Sequence, residues 1–233
     1  MTDERAPVVF DQERASSYDK RFAKLAPMKD TLHLLTQLVL ADLPADARVL
    51  CVGVGTGAEL LHLAQAFPGW RFAAVEPAAP MLDICRAHAE EAGIASRCTF
   101  HEGYLETLPE AEPFDAATSV LVSHFLVDPD ERRGFFRGIA ERLRPDAYLV
   151  SADLASEMSS PLFERLLEVW VRGLEYAEMP AEKVAELRSS FGTRVALLPP
   201  REIEAMLASS GFGPATLFYQ SVLIHAWFAR RSI

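Results

Sequence analysis

The residues best suited to chemistry begin with a glycine run, Gly53-Val54-Gly55-Thr56-Gly57, set between an apolar stretch and a helical one. Gly53 can leave a strand with a backbone angle that other residues resist. Gly55 lets a ligand approach the backbone with no Cβ in the way, and Gly57 is expected to pack the helix start against the strand. The helix that follows offers unpaired N–H groups and the positive end of its dipole. Glu76 lies twenty-three residues after Gly53, at the end of a second apolar run. A carboxylate at that place can accept hydrogen bonds from both hydroxyls of a ribose. The plainer reading is an exposed acid at a helix start, where negative charge is favourable. His124 follows a later apolar run and is the candidate general base; its structural alternative is a histidine that caps or packs the next segment. Cys85 and His88, and Cys98 and His101, have metal-like spacing. One pair falls on a helix and the other on a strand, where residues three apart face opposite sides, so no metal is expected.

These groups need elements to hold them. Apolar runs at 48–52, 71–75, 97–101, 114–122 and 147–152 read as strands. Helical spacing covers 28–43, 58–64, 81–92 and 130–143, the last with Phe135, Phe136, Ile139 and Leu143 on one face. Alternation of this kind predicts right-handed crossovers and a doubly wound α/β fold with a mostly parallel sheet. Segments 161–176 and 180–191 are helical and rich in Glu and Arg. Pro200 fits the first turn of a helix that runs through Ser210. Runs at 215–220 and 222–229 read as closing strands. The expected organisation is one domain over 1–233, with an N-terminal helical cover (1–45), a cofactor-binding core (46–153), a helical lid insertion (154–197) and a closing helix and strand hairpin (198–233).

The chain has 233 residues, half of them hydrophobic and 24% charged, which is globular composition. Lys and Arg number 23 against 33 Asp and Glu, a net charge of −10. An acidic surface repels phosphate backbones, so no nucleic acid partner is expected. Three cysteines without a CxxC pair read as reduced thiols. The first residues lack the apolar core of a signal peptide and no apolar run has membrane-spanning length, so the expected location is cytoplasmic, with no membrane partner.

Five stretches together resemble the class I S-adenosylmethionine-dependent methyltransferases. They are ValLeuCysValGlyValGlyThrGly (49–57), AlaValGluProAlaAlaProMetLeu (74–82), GluGlyTyrLeu (102–105), PheAspAlaAlaThrSerValLeuVal (114–122) and ArgLeuArgProAspAlaTyrLeuVal (142–150). A late SerGlyPheGly (210–213) before two closing strands is similar to that fold's antiparallel hairpin. The resemblance covers about residues 15 to 230. It implies a seven-stranded Rossmann-like sheet with an antiparallel last strand, and S-adenosyl-L-methionine as cofactor with S-adenosyl-L-homocysteine as product. It also implies roles. Gly53, Val54 and Gly55 would line the methionine part, and Glu76 would hold the ribose. Pro77 and Met81 would pack near the adenine, with Tyr104 and Leu105 on its other side. Val120 would sit beneath the methionine, and Tyr18 would close over the cofactor. Two positions depart from the family: Cys51 stands where an acid is usual, and Tyr104 where many members carry Asp.

Within the class, PheLeuValAspProAspGluArg (125–132), LeuPheTyrGln (217–220) and the Arg188-Ser189 pair resemble the carboxy-S-adenosylmethionine synthases. That likeness would give Arg188 an extra carboxylate to bind, although a solvated helix face is the plainer reading. Val120 replaces those synthases' polar strand-end residue. Trp170, Arg172 and Tyr176 are further candidates for a substrate pocket, or for packing. The leading expectation is methyl transfer to a small-molecule substrate by in-line displacement, where positioning supplies much of the catalysis. Beside it stand a synthase-like enzyme, a nicotinamide-dependent oxidoreductase and a non-catalytic cofactor-binding scaffold. A homodimer would form through an exposed closing hairpin or lid helix.

Overall fold

A computed structural model describes residues 23–232 of the chain. Its centre is a seven-stranded sheet in the order β3-β2-β1-β4-β5-β7-β6. The strands are β1 (Arg48–Val52), β2 (Arg71–Glu76), β3 (Cys98–Glu102), β4 (Phe114–Val120), β5 (Leu143–Leu154), β6 (Thr216–Ser221) and β7 (Ile224–Arg230). β1 to β5 pair in parallel, while β7 is antiparallel to both β5 and β6. Six strands therefore share one direction and the last one opposes them. The order reverses at β1, between β2 and β4, and such a switch point opens a crevice at the carboxyl ends of the strands.

Helices cover both faces, which is why the central strands are apolar on both sides. On one face, Val49 and Cys51 pack against α1 (Ala26–Val39), α2 (Ala58–Ala66) and α3 (Ala79–Glu91), through Leu40, Leu60, Leu63 and Leu82. On the other, Leu50 and Val52 share a core with α4 (Pro129–Arg142) and α7 (Pro200–Ser209), through Phe136, Ile139, Ile203 and Leu207. Alternate residues of one strand thus feed two cores. Each buried Leu or Phe contributes about 1.5–3 kcal/mol. Helix α4 starts one residue earlier than its spacing suggests, because Pro129 occupies its first turn and the Asp128 side chain accepts from the amides of Asp130 and Glu131 at 2.8 and 3.2 Å. Helices α5 (Pro161–Tyr176) and α6 (Ala181–Ser190) leave the end of β5 and close a small core of their own, in which Phe163, Leu167, Phe191 and Leu223 meet.

His33 of α1 is buried beside His62, with ring centroids 5.7 Å apart. Burial, helped by Lys29 and His62, lowers its pKa to about 4. Protonation therefore favours the unfolded chain: stability is intact above pH 6.5 and is lost as pH falls from 6.5 through about 4. The expected loss is about 3 kcal/mol at most. Melting temperatures measured from pH 7.5 to 4.5 should fall more steeply for the wild type than for His33→Gln; parallel slopes would contradict the assignment.

Candidate active site

The loop after β1 is organised by one carboxylate. Glu76, buried at the end of β2, accepts the Gly55 amide on Oε2 and the Ala78 amide on Oε1, both at 3.0 Å. The amides of Gly53 and Val54 bond the Val75 carbonyl at 2.8 and 3.1 Å, so the loop is tied to β2 along its length. Burial raises the Glu76 pKa, and the two amide bonds offset part of that rise. Gly53 and Gly55 have φ of +68° and +55°. A Cβ on Gly53 would lie 2.4 Å from Val122, so that position must be bare. Among the described residues a Cβ on Gly55 would have only Met81 Cε in contact, at 3.6 Å, with open space otherwise. Gly57 corrects the sequence expectation: a Cβ there would strike Cys85 Sγ at 2.6 Å, so it admits α3 rather than the strand.

This cradle fits a ribosyl cofactor. Each oxygen of Glu76 has accepted one amide and keeps capacity for a hydroxyl, and the open side of Gly55 would be filled by any side chain.

A second group lies past the end of β4. Leu121 has φ +59°, an uncommon angle for a residue with a Cβ, and its amide bonds the Ala152 carbonyl at 2.7 Å. The bend carries the chain into a short turn, Ser123–Phe125, that points back at β5. There Asp153, fully buried, accepts on Oδ1 from the His124 amide (3.0 Å) and from His124 Nδ1 (3.2 Å). Its Oδ2 accepts from Ser123 (2.7 Å) and Ser151 (3.3 Å) and lies 3.4 Å from Arg132 Nη2. Arg132 is also fully buried, and its Nε donates to Ser123 Oγ at 2.9 Å. Burial works to raise the Asp153 pKa, but Arg132, His124 and Ser123 outweigh it and hold the carboxyl below its usual value. An ionised Asp153 only accepts, which places the proton on His124 Nδ1 and the lone pair on Nε2. Nε2 has no hydrogen-bond partner among the described residues. The His124 carbonyl accepts the Ala196 amide at 2.7 Å, tying this turn to the segment after α6.

The other expected site residues divide. The fold brings Met81 against the loop at Gly55 and leaves Pro77 exposed beside Glu76. Tyr104 is 57% exposed after β3, whereas Leu105 is a core residue whose carbonyl accepts from Arg142 at 2.9 Å. Val120 packs with Leu32, Ala152 and Ala226. Arg188 lies exposed on α6 in an ion pair with Glu164 at 3.3 Å, and Tyr176 is exposed at the far end of α5, next to Lys24. Glu164 and Tyr176 are twelve residues apart on one helix, about 18 Å, so Arg188 and Tyr176 are not brought together. Tyr18 lies outside the described residues.

Arg132, Ser123 and Asp153 were not singled out from the sequence. A signal existed for two of them. Arg132 stands four residues before Phe136, on the apolar face of α4, and Asp153 interrupts the apolar run of β5.

Residues 49–146 match a family model described as a methyltransferase domain. The chain is 28% identical over 144 residues to the malonyl-[acyl-carrier protein] O-methyltransferase of Magnetococcus marinus, covering 62% of this chain and only 51% of that protein. It is 23% identical over 206 residues to the carboxy-S-adenosyl-L-methionine synthase of Campylobacter lari, covering 87% and 86% of the two chains. Among solved structures it is similar to mitomycin 7-O-methyltransferase MmcR (TM-score 0.62, 21% identity, 95% of this chain and 56% of that one). It is equally similar to an O-methyltransferase family 2 protein from Planctomyces limnophilus in complex with apigenin (TM-score 0.62, 18% identity, 98% and 64%). These structural likenesses show the fold. Among the described residues no helix is long and apolar enough to cross a membrane.

Proposed function

For a chain that carries a class I S-adenosylmethionine-dependent methyltransferase domain, we propose methyl transfer to a small-molecule acceptor, with His124 as the general base. The observation that carries this reading is the buried Asp153–His124 pair at the end of β4, beside a loop clamped by Glu76. S-adenosylmethionine, when bound, supplies a methyl group already activated on a sulfonium. Glu76 binds the ribose, and the backbone of Gly53 to Gly55 faces the amino-acid end. Met81 packs near the adenine with Pro77; Tyr104 covers the opposite side, and Val120 supports the methionine from the strand end.

His124 Nε2 then takes the proton from the accepting group, and Asp153 stabilises the imidazolium that results. Such a base is needed only where the acceptor carries a tightly held proton. Positioning provides the rest. In this reading the stretch 154–197 is the lid over the acceptor, and the hydrogen bond from the Ala196 amide to the His124 carbonyl links the lid to the base.

The test uses labelled S-adenosylmethionine and a panel of small hydroxyl- and carboxyl-bearing acceptors, with S-adenosylhomocysteine formation as the readout. Once an acceptor is found, His124→Asn should cut turnover about 10²–10⁴-fold and leave cofactor affinity unchanged; full turnover would return His124 to a structural role. A synthase-like activity is the second reading, supported by the near full-length likeness to the Campylobacter lari synthase. It requires Arg188 to leave Glu164 for the cofactor, so Arg188→Ala would then abolish retention of a carboxylated cofactor.

A further inference from the structure

Beneath the glycine loop lies a polar group that this chemistry leaves unused. Glu59 stands in the first turn of α2, two residues past Gly57. Its carboxyl turns inward, toward Cys51 of β1 and Thr118 of β4, whose Cα atoms are register partners. The strand residues are buried, while Glu59 as a whole stays partly open. Among the described residues Glu59 Oε1 and Thr118 Oγ1 are both buried without a partner at full hydrogen-bond geometry, and the closeness of Thr118 and Cys51 eases the carboxyl only in part. Burial raises the Glu59 pKa to about 7, and Thr118 and Cys51 offset only part of the rise. A buried carboxyl oxygen and a hydroxyl oxygen thus lie together at the start of α2, with no basic side chain of the described residues acting on the carboxyl.

The identity of the missing donor follows from the charges nearby. The start of α2 favours an anion, which suits the carboxylate of an amino acid. An amino acid's ammonium group needs an acid close by. Cys51 cannot serve, because burial raises its thiol pKa well above the ordinary value and keeps it neutral. Cys85 on α3, pushed to about 12, and Cys98 on β3 are neutral thiols as well. Glu76, whose oxygens each hold one amide, has its remaining capacity assigned to the ribose hydroxyls. Glu59 is the acid in the first turn of α2, and an ammonium with three donors can serve its carboxylate and the Thr118 hydroxyl together.

We propose that Glu59, reaching in from α2, receives the α-ammonium group of the bound cofactor, with Thr118 as its second acceptor. The proposal rests on the reading of the loop as an S-adenosylmethionine site. It has a thermodynamic signature. A carboxyl that titrates near 7 when alone must ionise to hold an ammonium, so binding releases a proton, and affinity rises with pH. From pH 6 to 7.5 the ionised fraction, and with it the affinity, grows about eightfold. Without ligand the sign is opposite: a raised carboxyl pKa means stability is full below the unfolded value and is lost as pH rises through about 7.

The experiment is calorimetric titration of the full chain at pH 6 and 7.5, in buffers of different ionisation heat. The probes are S-adenosylhomocysteine and 5′-methylthioadenosine, which lacks the amino-acid end. The wild type should release a proton on binding S-adenosylhomocysteine. Glu59→Gln should lose that release and the pH dependence, weaken S-adenosylhomocysteine tenfold or more at pH 7.5, and leave 5′-methylthioadenosine unchanged. The same variant should melt higher than wild type at pH 8 and equally at pH 4, which a packing role would not produce. Thr118→Val, which keeps the carboxylate, should weaken S-adenosylhomocysteine while retaining proton release. Unaltered affinity and proton release in Glu59→Gln would overturn the proposal and point to Glu76 as the titrating group. Failure of both probes to bind the wild type would overturn the cofactor reading itself, and this proposal with it.

Discussion

Asp153→Ala is expected to lower the folding free energy by about 3–5 kcal/mol. The carboxylate is fully buried and faces a fully buried guanidinium, so its removal strands the charge of Arg132 in the core. Ser123 and the His124 amide lose their acceptor at the same time. Urea unfolding followed by circular dichroism measures the loss; a change below 1 kcal/mol would show that Arg132 finds another partner. The paired replacement Arg132→Met with Asp153→Leu removes both charges and should recover much of the stability, since well-packed apolar groups often match a buried ion pair. It should not recover turnover, because His124 would no longer be oriented. Stability and chemistry thus separate within one network.

Gly55→Val is expected to abolish cofactor binding, a loss of at least a hundredfold, while the protein stays folded. The new Cβ has room beside Met81, at ordinary contact distance, but its branches occupy the open side of the loop. Strain at φ +55° adds a cost of about 1–2 kcal/mol. Gly93→Val is the matched control: Gly93 has φ +70° with none of the described residues near its Cβ position, so it carries the strain without touching the cradle. Binding titrations of the two variants should differ sharply and their melting temperatures should not. Equal binding would sink the assignment of the loop.

The parts of this site that were legible in the sequence are local ones. The strand, glycine run and helix lie within twenty residues, and Glu76 falls at a fixed offset, so spacing alone locates the cradle. The end of β4 was readable for the same reason, as an apolar run that stops before Ser123. What escaped was the pairing across it. Asp153 meets His124 from twenty-nine residues away, through sheet register, which no local pattern records. Arg132 reads as one more charge on a polar helix until α4 is seen to turn that face inward. Glu59 is similar, four residues before buried Leu63 on α2. The start of β5 was missed for a different reason. Arg144, Pro145 and Asp146 fall between the expected helix and strand, yet a register shift between Phe114 and Ala116 absorbs them and lets the strand begin at Leu143. In the two departures from the family, Cys51 has Glu59 against it, and Tyr104 is an exposed ring.

Native mass spectrometry of the purified chain after incubation with S-adenosylmethionine tests the central reading most directly. The expected spectrum shows one bound S-adenosylmethionine or S-adenosylhomocysteine per chain, lost in Gly55→Val and kept in His124→Asn. A chain that stays bare under those conditions and instead retains a nicotinamide dinucleotide would contradict it.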